Sequence, residues 1–332
     1  MPFTRRQVKR FKQRMTKLDE KEIIGIFAKK LGIRSLDDVA LLDKGIVIKS
    51  DMLVARTDIP PGMEAWQVAR KSVVACISDL AAKGVRPYAA VISLGIPTVY
   101  SMRRPNIEGL ANGFAIASKE FGVKIVGGDT NEAGELVIDC SMIGFPVFKV
   151  PTRSGAKPGD YVIVSGAFGL APAGLAILLQ NAITASSIFR KRAMKSVLEP
   201  QPKQSFGLAL ARYFSASIDS SDGLAASIYE LASQSKGVDI IIHSTPAVEG
   251  LDNFALDNSF DSHGLVFYGG EEYEIVATIS DTKIRQAKAA ARKAGISLHV
   301  IGRVQRGSGN VFVGKKLLEN RGYMHFHKRQ GF

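Results

Sequence analysis

The sequence contains few cysteines, and this limits the chemistry that it can carry. Cys76 and Cys140 are the only two in 332 residues, and both lie within apolar runs. Apolar surroundings predict buried thiols, and two cysteines are too few for a disulfide framework or a cysteine-rich zinc site. A thiol nucleophile has no support from the neighbouring residues either.

Long apolar runs are also missing. No stretch approaches the roughly 18 uninterrupted apolar residues that a membrane span needs. Residues 1–22 contain neither an apolar core nor a small-residue cleavage site, so they do not resemble a secretory signal. We therefore expect a cytoplasmic protein that does not enter a membrane.

Acidic residues are outnumbered by basic ones, 31 against 44, which gives a net charge of +13. Residues 1–30 hold ten basic and three acidic residues and so carry +7 of this charge. Such an arm can bind nucleic acid. No aromatic-interleaved RNA-binding motif and no recognition-helix pattern accompanies it, so we favour a basic amphipathic helix over residues 1–32.

The length of the chain and its alternating pattern predict two α/β domains. We place the N-terminal domain at 1–150 and the C-terminal domain at 151–332, with the Gly/Pro-containing segment 151–166 as the boundary. In the first half we predict strands at 45–58 and 88–97, helices at 60–84 and 104–122, and a strand, glycine turn and longer strand over 123–148. In the second half we predict helices near 169–180, 183–197, 204–214, 222–235 and 282–295, and strands at 238–244, 273–280, 297–304 and 310–317.

Acidic residues recur beside turns and glycines along the whole chain. They are Asp37, Asp38, Asp51, Asp79, Asp129, Asp219, Asp222, Glu271, Glu272 and Glu274. Singly, each has a structural interpretation. Asp37 and Asp38 suit a turn, Asp51 a strand end, Asp129 an Asx-turn, and either Asp219 or Asp222 the cap of the helix that follows.

Asp79 is the hardest of these acids to explain structurally. It lies in the predicted helix segment "SVVACISDLAA", which is almost entirely apolar. A carboxylate is costly to bury on such a helix unless it is paired or binds a cation. The alternative is an exposed stripe of the helix that also contains Arg70, Ser78 and Lys83.

Taken together, the acids favour a magnesium site. Mg²⁺ prefers oxygen ligands and often bridges to substrate phosphates. The glycines of "VGGDT" and "YGGEEYE" would allow backbone amides to approach phosphate oxygens. The sequence lacks a P-loop, a dinucleotide fingerprint and the protein-kinase motifs, so any use of ATP would depend on another fold.

Seven segments resemble, in their order, the thiamine-monophosphate kinases, which belong to the superfamily of aminoimidazole ribonucleotide synthetase. The segments are "KSDMLV", "ARKSVVACISDLAAKGVRPYAAVISLGIP", "VGGDT", "TRSGAKPGDYVIVSG", "IDSSDGL", "YGGEEYEI" and "VIGRV". The resemblance covers roughly residues 35–325. It implies a two-domain α/β (α+β) fold, in which the N-terminal domain builds a β-barrel across a homodimer and the active site lies between the domains.

The resemblance also implies a reaction. The γ-phosphoryl group of ATP would pass directly, in line and with several Mg²⁺ ions, to the phosphate of thiamine monophosphate. The products would be thiamine diphosphate and ADP. Positioning and charge neutralisation dominate such chemistry, which suits a site rich in carboxylates and poor in nucleophiles.

Roles for individual residues follow from the same resemblance. The implied metal ligands are Asp38, Ser50, Asp51, Asp79, Asp129, Asp219 and Asp222, with the Lys49 backbone beside Ser50 and Asp51. Asp129 and Asp222 would be catalytic, and Gly128, Arg153 and Ser221 would contact ATP. Asp58, Glu271 and Tyr323 would contact the thiamine substrate, with Tyr323 able to stack on a cationic ring.

Three positions depart from the family pattern. Leu36 replaces a glycine of a "GDD" triplet, Glu272 replaces an aspartate of "GGEDYE", and Asp58 lies near a usual histidine. The sequence therefore leaves two alternatives open. One is another ATP-dependent superfamily member that acts on a different phosphorylated or amide substrate, and the other is a nucleotide-binding regulatory or RNA-binding protein.

Overall fold

The computed structural model describes residues 18–33, 36–101 and 103–325. Its helices are α1 (Glu20–Leu31), α2 (Ala55–Asp58), α3 (Ala65–Ala82), α4 (Thr98–Ser101), α5 (Arg104–Phe121), α6 (Leu170–Gln180), α7 (Ser187–Leu198), α8 (Gln204–Leu210), α9 (Leu224–Gln234), α10 (Leu251–Asp257), α11 (Ser262–Tyr268) and α12 (Ile284–Lys293). Its strands are β1 (Ala40–Leu41), β2 (Val47–Val54), β3 (Val85–Ile96), β4 (Lys124–Glu132), β5 (Val137–Pro146), β6 (Tyr161–Val164), β7 (Phe214–Ser220), β8 (Val238–Ile242), β9 (Glu274–Ile279), β10 (His299–Arg306), β11 (Val311–Val313) and β12 (Lys316–Leu317).

The chain divides into a small unit, Met1–Leu36 with Tyr323–Gly331, and a large unit, Asp37–Gly322. In the small unit, α1 starts at a capping box, because Glu22 N donates to Asp19 Oδ1 and Asp19 N donates to Glu22 Oε2. It ends at Gly32 in the left-handed conformation. The predicted basic helix over 1–32 is thus a helix from Glu20 to Leu31, and residues 1–17 lie outside the described part of the chain.

The first sheet of the large unit has the order β1-β2-β5-β3-β4, and only the β3–β4 pair is parallel. Helix α3 packs on β2, β3 and β5 and also contacts β7 and β9 of the second sheet. It is buried on nearly every side, which explains its apolar sequence. The helix ends where Gly84 adopts φ 63°, and a Cβ there would lie 2.3 Å from Ala211 Cβ.

The second sheet has the order β12-β11-β8-β10-β6-β9-β7, and only the β11–β8 pair is parallel. Val162 and Val164 of β6 belong to the core that includes α6, α9, α10 and α11. Ile163, between them, belongs to the core with α8, α12 and the end of α3. Both faces of β6 are therefore covered, which explains its continuous apolar run.

Several predicted elements are wrong in detail. The strand, glycine turn and longer strand predicted over 123–148 are β4, a bend that contains Gly134, and β5, but β4 continues through Gly127 and Gly128 to Glu132. Strand β2 ends at Val54, and α2 follows it within the predicted strand. Asp51 therefore lies inside a strand and not at its end. Strand β7 was not predicted. The helix expected over 204–214 ends at Leu210, and β7 begins at Phe214.

Candidate active site

Three buried aspartates from distant parts of the chain meet in the large unit. Asp38 precedes β1, Asp79 lies near the end of α3, and Asp219 lies near the end of β7. One carboxylate oxygen of each lies within 4.8 Å of the others, the separation that a shared metal ion requires. The structure thus brings together three of the seven predicted metal ligands.

The exposed stripe that would have explained Asp79 does not exist. Arg70, Ser78 and Lys83 are each at most 3% exposed, and Asp79 itself is buried. Every one of them has a polar partner. Ser78 Oγ donates to Asp219 Oδ2 at 3.1 Å, and the guanidinium of Arg70 donates to Glu120.

Asp38 is held by two cations of the protein. Lys83 Nζ lies 2.9 Å from Asp38 Oδ2, and Arg153 Nε donates to Asp38 Oδ1 at 2.7 Å. Burial opposes ionisation, but these two cations outweigh it and keep the pKa of Asp38 below its usual value. Despite the nearby lysine, Oδ2 accepts no well-formed hydrogen bond among the described residues. The turn residue expected here is therefore a buried carboxylate whose charge is balanced by two cations of the chain.

The other two carboxylates are less well compensated. Burial raises the pKa of Asp79 well above its usual value, against the opposing effect of Lys49. Burial, followed by repulsion from Asp38, raises the pKa of Asp219 to about 6. Buried acids that disfavour each other's charge are typical of sites that take up a cation.

Lys49 supplies a further cation. Sequence reasoning had assigned a role only to its backbone and none to its side chain. Lys49 lies two residues before Asp51 on β2, so both side chains point to the same face of the sheet. Its Nζ lies 2.5 Å from Asp79 Oδ2 and 3.6 Å from Asp51 Oδ2. Asp51 thus joins the buried aspartates through Lys49.

Ser50 points to the opposite face of the same sheet. Its Oγ donates to Asp139 Oδ1 at 2.7 Å and lies 2.9 Å from Ser141 Oγ. The structure therefore does not bring the Ser50 side chain to the three aspartates, and sequence reasoning missed its partner Asp139. Strand alternation, applied to both β2 and β5, could have found this cluster.

Two predicted ligands, Asp129 and Asp222, lie outside the buried group and are exposed. Asp129 lies in β4 opposite Ser93, so it does not form the expected Asx-turn. Neither Asp219 nor Asp222 occupies the capping position of α9, which belongs to Gly223. Gly128 lies in β4 against Ile92, where a Cβ would come 1.7 Å from the Ile92 carbonyl oxygen, so only glycine fits.

Two predicted substrate residues, Asp58 and Glu271, meet at Lys71. The buried Lys71 Nζ donates to Asp58 O and to Glu271 Oε1, each at 2.8 Å. Tyr273 Oη donates to Glu271 Oε2 at 3.1 Å, and Glu271 N donates to Ser221 O at 2.7 Å. Glu271 and Tyr273 both have positive φ, so these contacts hold a strained segment beside the Ser221 turn.

The third predicted substrate residue, Tyr323, belongs to the small unit. There its ring packs edge-on against the His325 ring, with centroids 5.0 Å apart. Its contact with thiamine stays a prediction.

Comparisons with known proteins agree with this geometry. Residues 36–145 match the AIR synthase related protein N-terminal domain, and residues 157–315 match the corresponding C-terminal domain. The chain is 41% identical to the thiamine-monophosphate kinase of Nitrosopumilus maritimus, over 94% of this chain and 100% of that protein. It is 35% identical to that of Pyrococcus horikoshii, over 89% and 91%. A solved structure of AaThiL with AMPPCP and TMP is 27% identical, with a TM-score of 0.84, over 94% of this chain and 99% of that one.

Proposed function

The chain belongs to the AIR synthase related family and, within it, to the thiamine-monophosphate kinases, and we propose that it transfers the γ-phosphoryl group of ATP to thiamine monophosphate. The two-domain AIR synthase-like fold expected from the sequence is confirmed. The domain boundary at residue 150 stays a prediction. The observation that carries the proposal is the meeting of Asp38, Asp79 and Asp219 in a chain that matches these kinases along nearly its whole length.

Magnesium fits the donors at this site. Carboxylate oxygens are the ligands that Mg²⁺ prefers, and one from each of Asp38, Asp79 and Asp219 lies within 4.8 Å of the others. Asp38, Asp79 and Asp219 would hold the ion nearest the core, and Asp51, Asp129 and Asp222 would complete coordination towards the phosphates. Bound Mg²⁺ would neutralise the charge that develops on the transferred phosphoryl group.

Arg153 and two backbone segments would orient ATP. Arg153 is fixed by Asp38 and lies 3.6 Å from Glu230, so its guanidinium is held in place before a nucleotide arrives. Gly128 offers backbone without a side chain, and Ser221 lies in the turn that joins Asp219 to Asp222. Fixed donors of this kind stabilise phosphate charge without reorganising during the reaction.

The segment of Glu271 would orient the acceptor. Lys71 fixes both the Glu271 carboxylate and the Asp58 carbonyl, and the Glu271 amide is tied to the Ser221 turn. The proposed acceptor contacts are thereby coupled to the proposed phosphate contacts. Direct transfer needs the two substrates aligned within the same site, and a shared support of this kind serves that purpose.

We extend the proposal to a homodimer formed through the first sheet. Five large apolar side chains are exposed on the face opposite α3, namely Ile48, Met52, Tyr88, Val91 and Phe145. Exposed apolar surface of this kind is typical of a protein interface. A second copy that covered this face would close the expected barrel.

A single substitution tests the dimer. Val91→Glu puts a charge in the middle of this face and should convert the dimer to a monomer in analytical ultracentrifugation. Val99→Glu is the matched control, because Val99 is exposed on α4 outside the sheet. Equal molecular masses for the two variants would contradict the proposed interface.

No described helix could span a bilayer by its length and hydropathy. We place the proposed reaction in the cytoplasm, because it consumes ATP.

The test of the function itself is an acceptor panel with the purified chain and Mg-ATP. Thiamine monophosphate should yield thiamine diphosphate and ADP, and thiamine should yield neither. Turnover of another phosphorylated acceptor in its place would refute the assignment.

A further inference from the structure

We propose that the Lys49 ammonium group is a built-in cation that takes the place of one divalent ion between Asp51 and Asp79. The inference rests on the proposed magnesium site and assigns a role to a side chain that the proposed reaction does not use. It predicts that this chain binds one divalent ion fewer than its set of aspartates would otherwise hold.

Lys49 contacts two carboxylates, as a bridging metal ion would. Its Nζ lies 2.5 Å from Asp79 Oδ2 and 3.6 Å from Asp51 Oδ2, and only 21% of its side-chain surface is exposed. One positive charge therefore sits between two carboxylates from different elements, the strand β2 and the helix α3. A divalent ion that bridged the same two oxygens would occupy the same space.

A second cation cannot share this position with the ammonium group, because Lys49 Nζ already contacts both carboxylates. Two cations between the same carboxylates would repel each other strongly in a poorly solvated site.

Asp219 is the member of the buried group that lacks such an occupant. Among the described residues it forms no ion pair, and its carboxylate accepts only the hydrogen bond of Ser78 Oγ. Asp38 is already paired with Lys83 and Arg153. Lys49 therefore fills the place between Asp51 and Asp79, and the place left for a divalent ion lies beside Asp219.

Removing the ammonium group should open the second place. We expect Lys49→Ser to bind one more Mn²⁺ per chain than the unaltered protein, in titrations with a non-hydrolysable ATP analogue followed by the EPR signal of free Mn²⁺. Lys49→Met keeps the side-chain stem without the charge and is measured in parallel. The matched control is Lys203→Ser, which breaks a partly buried ion pair with Glu274 (2.9 Å) away from the aspartates.

Thermal unfolding gives a second readout that does not depend on activity. In EDTA, Lys49→Ser should unfold at a lower temperature than the unaltered chain, because Asp79 loses its partner. Added Mn²⁺ should raise the unfolding temperature of Lys49→Ser by several degrees more than that of the unaltered chain or of Lys203→Ser.

The inference fails if both Lys49 variants bind the same number of Mn²⁺ ions as the unaltered chain, or if neither they nor the unaltered chain bind any. It also fails if Lys203→Ser gains an ion to the same extent. The proposed function is judged separately by product formation. An extra ion in the Lys49 variants together with no turnover of thiamine monophosphate would support this inference and refute that function.

Discussion

The aspartates of the site fall into two groups that differ in their surroundings. Asp38, Asp79 and Asp219 are buried, and Asp38 and Asp79 are paired with cations of the chain itself. Asp129 and Asp222 are exposed at the same proposed site. Burial makes the first group part of the folded structure as well as of the chemistry, whereas the second group contributes little to packing.

This difference determines what a substitution reports. Replacing a buried acid removes a partner of Lys49, Lys83 or Arg153, and a buried charge that is less well compensated destabilises the fold. Replacing an exposed acid leaves the core untouched, so a change in rate can be assigned to the reaction. The following substitutions test this distinction in order of expected effect.

The largest effect on turnover is expected from replacing an exposed aspartate of the site. Asp222→Asn should lower turnover about 1,000-fold, equivalent to about 4 kcal/mol of transition-state stabilisation, because a metal-binding charge is lost. Steady-state assays measure the rate, and thermal unfolding should show an unchanged midpoint. Asp257→Asn, an exposed aspartate on α10, should retain the full rate. A near-normal rate for Asp222→Asn would remove this residue from the site.

Replacing a buried acid should lower the stability of the fold. Asp38→Asn should lower the free energy of unfolding by about 3 kcal/mol, because Lys83 and Arg153 lose the charge that they share. Urea denaturation measures the change. Asp281→Asn breaks an exposed pair with Arg303 and should cost less than about 0.5 kcal/mol. If both variants lose the same stability, the distinction between buried and exposed acids is wrong.

Glu272 is a half-buried acid, and no cation pairs with it among the described residues. Burial, followed by repulsion from Glu274, raises its pKa from 4.5 to about 8, although the Gly169 amide donates to its carboxylate. The folded state then holds a proton that the unfolded state releases above pH 4.5, so stability should fall as pH rises from about 4.5 to 8.

We expect a decline of about 2 kcal/mol across this interval, less than the full conversion of the shift, because buried sites relax. Glu272→Gln keeps an oxygen for the Gly169 amide and should make the free energy of unfolding less dependent on pH. Glu319→Gln, on the exposed surface, should keep the decline. An unchanged pH profile for Glu272→Gln would show that this carboxyl group is not the source.

Local patterns in the sequence predicted much of the fold and located the site. A helix was predicted over 60–84, where α3 spans Ala65–Ala82, and the isolated charge of Asp79 in that helix marked a buried site. Strand β7 was missed because its Ser- and Asp-rich end resembles a turn. Its strand conformation depends on pairing with β9, which is distant in sequence.

The cations of the site could not be predicted in the same way. Lys49 pairs with Asp79 because β2 packs against α3, and Lys83 reaches Asp38 because the N-terminal part of the large unit folds back over the end of that helix. Such pairs depend on tertiary contacts and leave no local pattern. The face that Ser50 occupies does follow from strand alternation, so that part of the site was open to prediction.

Phosphorus NMR tests the central claim most directly. The chain, Mg-ATP and thiamine monophosphate are mixed, and the phosphorus signals are followed through complete turnover. We predict that the γ-phosphate signal of ATP disappears as the signals of thiamine diphosphate and ADP appear in equal amounts, with no phosphate attached to the protein. Consumption of ATP without thiamine diphosphate, or a phosphorylated protein as an intermediate, would contradict direct transfer at the buried aspartates.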